Sequence, residues 1–186
     1  MLISLVGLPG SGKSTVGRQL ARRLGVAFID SDQVIEQRIG CSIREFFERE
    51  GEASFRDLEA SVLDELTAAP EAAVLSTGGG AVLRPANRQC LHQRGTVLYL
   101  RSTPEEIFRR IRYDKTRPLL QVANPLGQLR TLYTQRDPLY RQAAHYVVET
   151  GRPSVTSLVN MIIMQLELAG VIAPGVAAAP ECPAAD

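Results

Sequence analysis

Short apolar runs alternate along this chain with longer segments in which apolar residues recur at helical spacing. Runs so brief and so rich in β-branched residues suit strands that are buried on both faces of a parallel sheet. The predicted strands are Leu2–Val6, Val26–Ile29, Ala73–Leu75, Val97–Leu100 and Tyr146–Val148. The helical segments between them predict right-handed βαβ crossovers and a three-layer α/β/α sandwich. Thr103 and Glu106 have the spacing of a capping box, which predicts that a helix begins there.

Two segments interrupt this alternation. Between the second and third strands several helical patterns (34–39, 43–47 and 58–66) replace a single crossover helix, which predicts an insertion over about 31–66. Residues 112–124 are polar and basic, and contain a proline, which predicts a lid. From Gly170 onward Ala and Pro dominate. We therefore expect one domain over residues 1–169 and a disordered tail over residues 170–186.

A glycine-rich turn separates the first strand from the first helix. Its sequence is Gly7-Leu-Pro-Gly10-Ser-Gly12-Lys13-Ser14, which fits the phosphate-loop pattern. Glycines let backbone N–H groups curl around phosphate oxygens, and the following helix directs its positive end at the same anion. Lys13 would reach the β- and γ-phosphates, and the Ser14 hydroxyl would ligate Mg²⁺. A glycine turn that binds nothing is the alternative, but the flanking strand and helix favour a nucleoside triphosphate site.

Two carboxylates follow the second predicted strand. In an open α/β sheet, ligands bind beyond the carboxyl ends of the strands, where Asp30 and Asp32 lie. Two residues apart in extended chain, both side chains would point the same way. One could hold the water shell of a metal ion, while the other accepts a proton from an attacking hydroxyl. Alternatively, both could merely cap the helix that begins near Gln33.

Glycines and arginines complete the candidate chemistry. The triplet Gly78–Gly80 indicates close approach of backbone to a small ligand, with a sharp turn as the alternative. Arg117 in the predicted lid could neutralise a moving phosphoryl group. Arg56 and Arg136 suit a planar carboxylate, although each could be an ordinary surface arginine. Glu59, three residues after Arg56, is interpreted as a helix-face partner. The acceptor should be small, anionic and hydroxyl-bearing.

Composition narrows the function classes. The 186 residues carry a net charge of +1, which argues against nucleic acid as the main partner. Cys41, Cys90 and Cys182 are too scattered for a disulfide framework or a zinc site. His92 and His145 share no ligand spacing and are interpreted as structural or surface residues. With neither a signal peptide nor a membrane span in the pattern, we expect a soluble, cytoplasmic protein without a membrane partner. Nothing in the sequence requires a dimer, so we expect a monomer.

In this order, the motifs resemble those of the shikimate kinase family, over roughly Leu2 to Leu168. The resemblance rests on the phosphate loop, Asp30-Ser-Asp32, Phe55-Arg56, Gly78–Gly80, Arg117-Pro-Leu-Leu and Arg136-Asp-Pro-Leu-Tyr. It implies a P-loop kinase fold similar to that of nucleoside monophosphate kinases, with a five-stranded parallel sheet in the order 2-3-1-4-5. It also implies transfer of the γ-phosphoryl group of ATP to the 3-hydroxyl of shikimate, with Mg²⁺.

The resemblance further implies a role for each matching residue. The ATP phosphates would be held by Gly10, Ser11, Gly12, Lys13, Ser14 and Thr15, with Ser14 on Mg²⁺ and Asp30 reaching the metal through water. Asp32 would orient the shikimate hydroxyls and act as the base, and Lys13 and Arg117 would also be catalytic. The acceptor would contact Arg56, Gly78, Gly79, Gly80 and Arg136. The adenine would lie near Arg110, Arg152 and Pro153. The alternatives are another small P-loop kinase, acting on gluconate or a nucleoside monophosphate, and a non-catalytic ATP-binding module.

Overall fold

A parallel five-stranded sheet forms the centre of the fold, in the order β2-β3-β1-β4-β5. The structure is a computed structural model that describes residues 1–113 and 121–176. Its strands are β1 Leu2–Val6, β2 Ala27–Asp30, β3 Ala73–Ser76, β4 Thr96–Arg101 and β5 Tyr146–Glu149. The predicted strand order is confirmed, and each predicted strand end lies within one residue of the observed one.

The helices of the described residues are α1 Lys13–Leu24, α2 Ser31–Ile39, α3 Ile43–Ala68, α4 Pro85–Arg94, α5 Pro104–Ile111, α6 Pro125–Ala143 and α7 Val155–Leu168. The capping box that predicted the start of α5 is present, because the Thr103 side chain accepts from the Glu106 N–H and the Glu106 side chain accepts from the Thr103 N–H. Within the described ranges, no helix combines the length and apolar character that crossing a bilayer requires.

Helices cover both faces of the sheet, as the three-layer prediction requires. Along β1, Ile3 and Leu5 pack with α1 and α7, whereas Leu2 and Val6 pack on the other face, which α3 to α6 cover. This alternation follows from the opposite directions of successive side chains on a strand. With both faces of β1 buried, the phosphate loop that follows it starts from the rigid centre of the molecule.

The insertion after β2 consists of α2 and α3. The predicted helices are confirmed, but α3 is more continuous than expected and is broken only at Gly51, whose φ of 84° and ψ of 170° are not helical. Residues 52–57 are therefore helical as well, which places Phe55 and Arg56 on the second part of α3. Phe55 packs with Ile35 of α2 in a small separate core. That core joins α2 to α3 within the insertion.

The expectation of a disordered tail from Gly170 onward is wrong for residues 171–176. Ile172 is only 9% exposed and packs in the core between the sheet, α1 and α7, with Val171 and Val176 beside it. The Val176 carbonyl also accepts a hydrogen bond from Arg23 at 3.1 Å. The apolar residues of this short stretch provide enough burial to order it. Residues 177–186 and the central part of the predicted lid, residues 114–120, lie outside the described residues.

The two histidines are structural, as expected. Their rings stack at the start of β4 and β5, with centroids 4.0 Å apart. Nδ1 of His145 accepts from the Val97 N–H, and the backbone N–H of His145 donates to the Val97 carbonyl. The pair therefore joins the beginnings of two neighbouring strands, at the end of the sheet opposite to the phosphate loop.

Candidate active site

A cavity of about 440 Å³ lies at the carboxyl ends of β1, β2 and β3. The phosphate loop contributes Gly10, Gly12, Lys13, Ser14 and Thr15 to its walls. The other predicted site residues that line it are Asp30, Asp32, Gly78, Gly79 and Arg110. The topology explains this convergence, because the ends of neighbouring parallel strands meet at one edge of the sheet.

The phosphate loop has the backbone of an anion site. Gly10 and Gly12 have φ values of 82° and 92°, in the left-handed region that favours glycine. Helix α1 begins at Lys13 without a side-chain cap. The first N–H groups of an α-helix have no partner within the helix, so they can bind an anion in the adjoining cavity.

Lys13 holds a positive charge close to the same loop. Its side chain is mostly buried, with the residue only 7% exposed. Nζ donates to the carbonyl oxygens of Gly7 at 2.8 Å and Leu8 at 2.9 Å. The loop therefore orients the ammonium group before any phosphate is bound, which limits the reorganisation needed on binding.

Asp30 has a separate use for each of its carboxylate oxygens. Oδ2 accepts from the Ser14 hydroxyl at 3.0 Å, while Oδ1 accepts from the backbone N–H of Asp32 at 3.0 Å. Asp30 therefore caps α2 and also lies beside the phosphate loop. The expectation that Asp30 and Asp32 share an extended segment is wrong, because the cap starts the helix at Ser31 and places Asp32 in its first turn. Both side chains nevertheless reach the cavity.

Asp32 is a carboxylic acid with a strongly perturbed proton affinity. Burial is the largest cause that raises its pKa from 3.8 to about 6, and the negative charges of Asp30 and Glu59 add to it. The ammonium of Lys13 opposes the shift. A carboxylate with a pKa near 6 is still mainly ionised at neutral pH and accepts a proton more readily than an ordinary aspartate.

Glu59 is a site residue that the sequence did not reveal. It is 1% exposed, and Oε1 accepts from Arg56 Nη1 at 2.7 Å. Burial raises the pKa of Glu59, while the charges of Arg56 and Arg136 oppose the shift. Asp32, Arg56 and Arg136 are thus electrostatic neighbours of one buried carboxylate. The spacing from Arg56 correctly indicated an ion pair, but nothing in the local pattern indicated its burial.

Arg56 is held from several sides. Its side chain is 13% exposed, and Nε lies 3.5 Å from a carboxylate oxygen of Glu52. The guanidinium carbon lies 5.8 Å from the ring centroid of Phe47 and 5.2 Å from that of Phe55. These ring contacts and ion pairs fix a planar, charged group next to Glu59 and Gly80, although Arg56 is not part of the described lining of the cavity.

Each glycine of the triplet after β3 makes room for a different part of the protein. A Cβ atom on Gly78 would lie 2.7 Å from Asp32 Oδ1, and one on Gly79 would lie 2.6 Å from Cδ of Pro9. A Cβ atom on Gly80 would overlap the guanidinium of Arg56. None of these three glycines has a positive φ, so their dihedral angles do not require glycine. Neighbouring protein side chains therefore require these glycines, and the predicted close approach to a small ligand stays a prediction.

Helix α6 brings Arg136 and Tyr140 close to Glu59 and Arg56. The two residues are one turn apart, and Tyr140 is fully buried. The Tyr140 hydroxyl donates to the Gly79 carbonyl at 2.6 Å. Sequence reasoning placed Tyr140 inside a motif but gave it no role, because its partner is a backbone atom distant in the chain.

A second cavity, of about 320 Å³, lies on the other side of the phosphate loop. Arg110 lines both cavities, and it donates to the Ser11 carbonyl at 3.2 Å and to the Thr150 carbonyl at 3.0 Å. Pro153 lines the second cavity, whereas Arg152 is exposed and is not part of its described lining. Arg117 lies outside the described residues. The second cavity offers room for the base of a nucleotide whose phosphates occupy the loop.

Comparison with known proteins identifies the family. The sequence model of the family described as shikimate kinase matches residues 9–167. The chain belongs to the shikimate kinase family. The fold and the resemblance predicted from the sequence are thereby confirmed, and members of this family use ATP as a substrate.

Individual relatives agree with this assignment. A shikimate kinase from Paracidovorax citrulli is 66% identical over 176 residues, which cover 92% of this chain and 95% of the relative. A shikimate kinase from Ralstonia nicotianae is 54% identical, with coverage of 96% and 93%. The solved structure of shikimate kinase from Acinetobacter baumannii in complex with shikimate matches with a TM-score of 0.83 and 49% identity, covering 91% of this chain and 93% of that one.

Proposed function

We infer that this protein transfers the γ-phosphoryl group of ATP to the 3-hydroxyl of shikimate, giving shikimate 3-phosphate and ADP. The protein is a small-molecule kinase of aromatic amino acid biosynthesis. One observation carries the inference: a phosphate loop and a cluster of Asp32, Glu59 and two arginines lie at the same edge of the sheet. Such an arrangement places a phosphoryl donor beside a pocket for an anionic acceptor.

The nucleotide contacts follow from the loop. We propose that the ATP phosphates are bound by Gly10, Ser11, Gly12, Lys13, Ser14 and Thr15. The left-handed glycines, the uncapped start of α1 and the oriented ammonium of Lys13 support this. Arg110, Arg152 and Pro153 are proposed to flank the adenine, and the second cavity supports Arg110 and Pro153. Arg117 is proposed to reach the phosphates with a lid over residues 112–124.

Ser14 and Asp30 fit a magnesium ion. A hydroxyl and a carboxylate are the hard oxygen ligands that Mg²⁺ prefers, and here they lie in hydrogen-bond contact beside the phosphate loop. We propose that Ser14 holds the ion directly and Asp30 holds it through water. When bound, Mg²⁺ neutralises the negative charge of the phosphate oxygens.

The acceptor contacts assign the remaining charges. Asp32 is proposed to orient the acceptor hydroxyls and to take the proton of the 3-hydroxyl as that oxygen attacks the γ-phosphorus. Its raised pKa supports this role. Arg56 and Arg136 are proposed to bind the carboxylate, beside the Gly78–Gly80 segment. Lys13 is proposed to stabilise the phosphoryl group in transit, since phosphoryl transfer depends on positioning and on charge neutralisation.

The domain bounds, the oligomeric state and the location of the protein are supported by the sequence alone and are also proposals. We propose a domain over residues 1–169 with the substrate-binding insertion at about 31–66, although residues 171–176 also pack against it. We also propose a monomer in the cytoplasm without nucleic acid or membrane as a partner, and the net charge of +1 supports the exclusion of nucleic acid.

The decisive experiment measures ADP production from ATP with shikimate, gluconate, a nucleoside monophosphate or no acceptor. Among these acceptors, we expect only shikimate to give rapid ADP formation from ATP. Shikimate 3-phosphate should be recovered in an amount equal to the ADP. A rate of ADP formation that does not depend on shikimate, or that gluconate raises equally, would contradict the proposed acceptor. Omitting Mg²⁺ in the same assay tests the metal proposal separately, and turnover should then be lost.

A further inference from the structure

Tyr140 lies at a junction between the two arginine-bearing parts of the site. It is 0% exposed, and its hydroxyl donates to the Gly79 carbonyl at 2.6 Å. Burial raises the pKa of Tyr140 to about 12, and the charge and hydrogen bonding of Arg136 oppose that shift. The phenol therefore stays protonated at neutral pH and donates its hydrogen bond to Gly79, while Arg136 lies one helical turn away on α6.

Gly79 is fixed on its other side by the phosphate loop. A Cβ atom at Gly79 would lie 2.6 Å from Cδ and 2.8 Å from Cγ of Pro9, so the glycine backbone packs directly on that ring. The Tyr140 hydroxyl consequently connects α6, which carries Arg136, to a segment in contact with the nucleotide side of the site.

Helix α6 has other attachments, which separates the role of this hydroxyl from that of the helix as a whole. Asp137 accepts from the Tyr99 hydroxyl of β4 at 2.8 Å. The rings of Tyr99 and Tyr140 pack with centroids 4.9 Å apart. Removing only the Tyr140 oxygen leaves these contacts in place, so the helix should stay docked.

We propose that Tyr140 is a positioning residue for the acceptor, whose hydroxyl ties the part of α6 that carries Arg136 to the Gly79 carbonyl. Arg136 then faces the carboxylate of a substrate whose hydroxyl lies beside the phosphate loop. The inference rests on the proposed function, because it takes Arg136 as a carboxylate ligand. Tyr140 acts through Arg136 and Gly79 and does not itself touch the substrate.

The test is steady-state kinetics of Tyr140→Phe, which keeps the buried ring and removes the oxygen. We expect the KM for shikimate to rise by roughly 3- to 10-fold, the range for one lost hydrogen bond between neutral groups. The KM for ATP should stay within about twofold, since the phosphate loop is untouched. Tyr133→Phe is the matched control on the same helix, because its hydroxyl accepts from Arg101 Nε at 2.9 Å. Both its KM values should stay within about twofold.

A double-mutant cycle tests whether Tyr140 acts through Arg136. In an Arg136→Ala background, Tyr140→Phe should raise the KM for shikimate by less than about twofold. Fully additive effects, an unchanged KM for shikimate in the single variant, or equal rises in both KM values would each overturn the inference. Failure of the proposed function is distinct, since the wild-type protein itself would then form no ADP in response to shikimate.

Discussion

At the scale of one residue, the surroundings of Asp32 disfavour the ionised form of its carboxyl group. The carboxyl lies among Asp30, Glu59 and Glu36, with Lys13 as the opposing charge, and burial adds to the repulsion. Because its pKa is raised, the folded state binds a proton at Asp32 more tightly than the unfolded chain does. The stability that Asp32 contributes is therefore present at low pH and is lost as the pH rises through about 6.

Asp32→Asn should therefore inactivate the protein and stabilise it. We expect no measurable phosphorylation of shikimate, unchanged ATP affinity by titration calorimetry, and a free energy of unfolding at pH 7.5 about 1–3 kcal/mol above wild type, from a pKa shift of roughly two units. Denaturant unfolding at pH 5 supplies the control, because wild-type Asp32 is then largely protonated and the difference should shrink. A variant less stable than wild type at pH 7.5 would contradict the burial argument.

The same carboxyl should set the acidic limit of activity. The base must be ionised, so kcat/KM for shikimate should fall about tenfold per pH unit below an apparent pKa near 6. Glu59→Gln removes one of the charges that raise the pKa of Asp32. It should therefore move the acidic fall of the pH–activity profile to lower pH. Asp57→Asn is the matched control, since Asp57 is an exposed carboxylate on the same helix, paired with Arg84. If the acidic fall stays at the same pH in Glu59→Gln, the charge of Glu59 does not raise the pKa of Asp32.

At the scale of elements, the sequence predicted regular structure better than the contacts between elements. The runs that became β1, β3 and β4 were conspicuous because a central parallel strand must be apolar on both faces, whereas the edge strands β2 and β5 are only partly buried. Asp32 was misplaced because the cap made by Asp30 turns the chain into a helix one residue later. Glu59 was missed because its neighbours Asp32 and Arg136 come from α2 and α6, and no local spacing encodes that meeting.

The glycine triplet gives an element-scale prediction in which substitution at Gly80 and substitution at Gly78 affect different kinetic constants. Gly80→Ala should displace the Arg56 guanidinium and raise the KM for shikimate at least about tenfold, because a charged partner of the carboxylate is moved. Gly78→Ala should instead displace the Asp32 carboxylate and lower kcat more than it raises KM. Initial-rate kinetics over both substrates would separate them. Identical kinetic changes in the two variants would indicate a general distortion of the segment.

At the scale of the whole molecule, a rigid sheet carries a site assembled from distant parts of the chain. The phosphate loop follows β1, the capping Asp30 ends β2, the glycine triplet follows β3, and the arginines come from α3 and α6. The strand order that brings these ends together was implied by the family resemblance rather than by the residue pattern alone. The prediction of disorder directly after Gly170 was wrong because it relied on the average composition of the tail. The many alanines and prolines further along outweighed the apolar residues Val171 and Ile172.

Truncation tests whether residues 171–176 belong to the core. Ending the chain after Gly170 removes the buried Ile172 and the Val176 carbonyl that binds Arg23. Relative to a chain that ends after Val176, we expect the free energy of unfolding to fall by about 2–4 kcal/mol, from one buried aliphatic side chain and one hydrogen bond. Urea unfolding measures the difference. Turnover with shikimate should be equal where both proteins are folded, because this packing lies between α1 and α7. Equal stability of the two chains would show that the contacts of Ile172 contribute nothing to the fold.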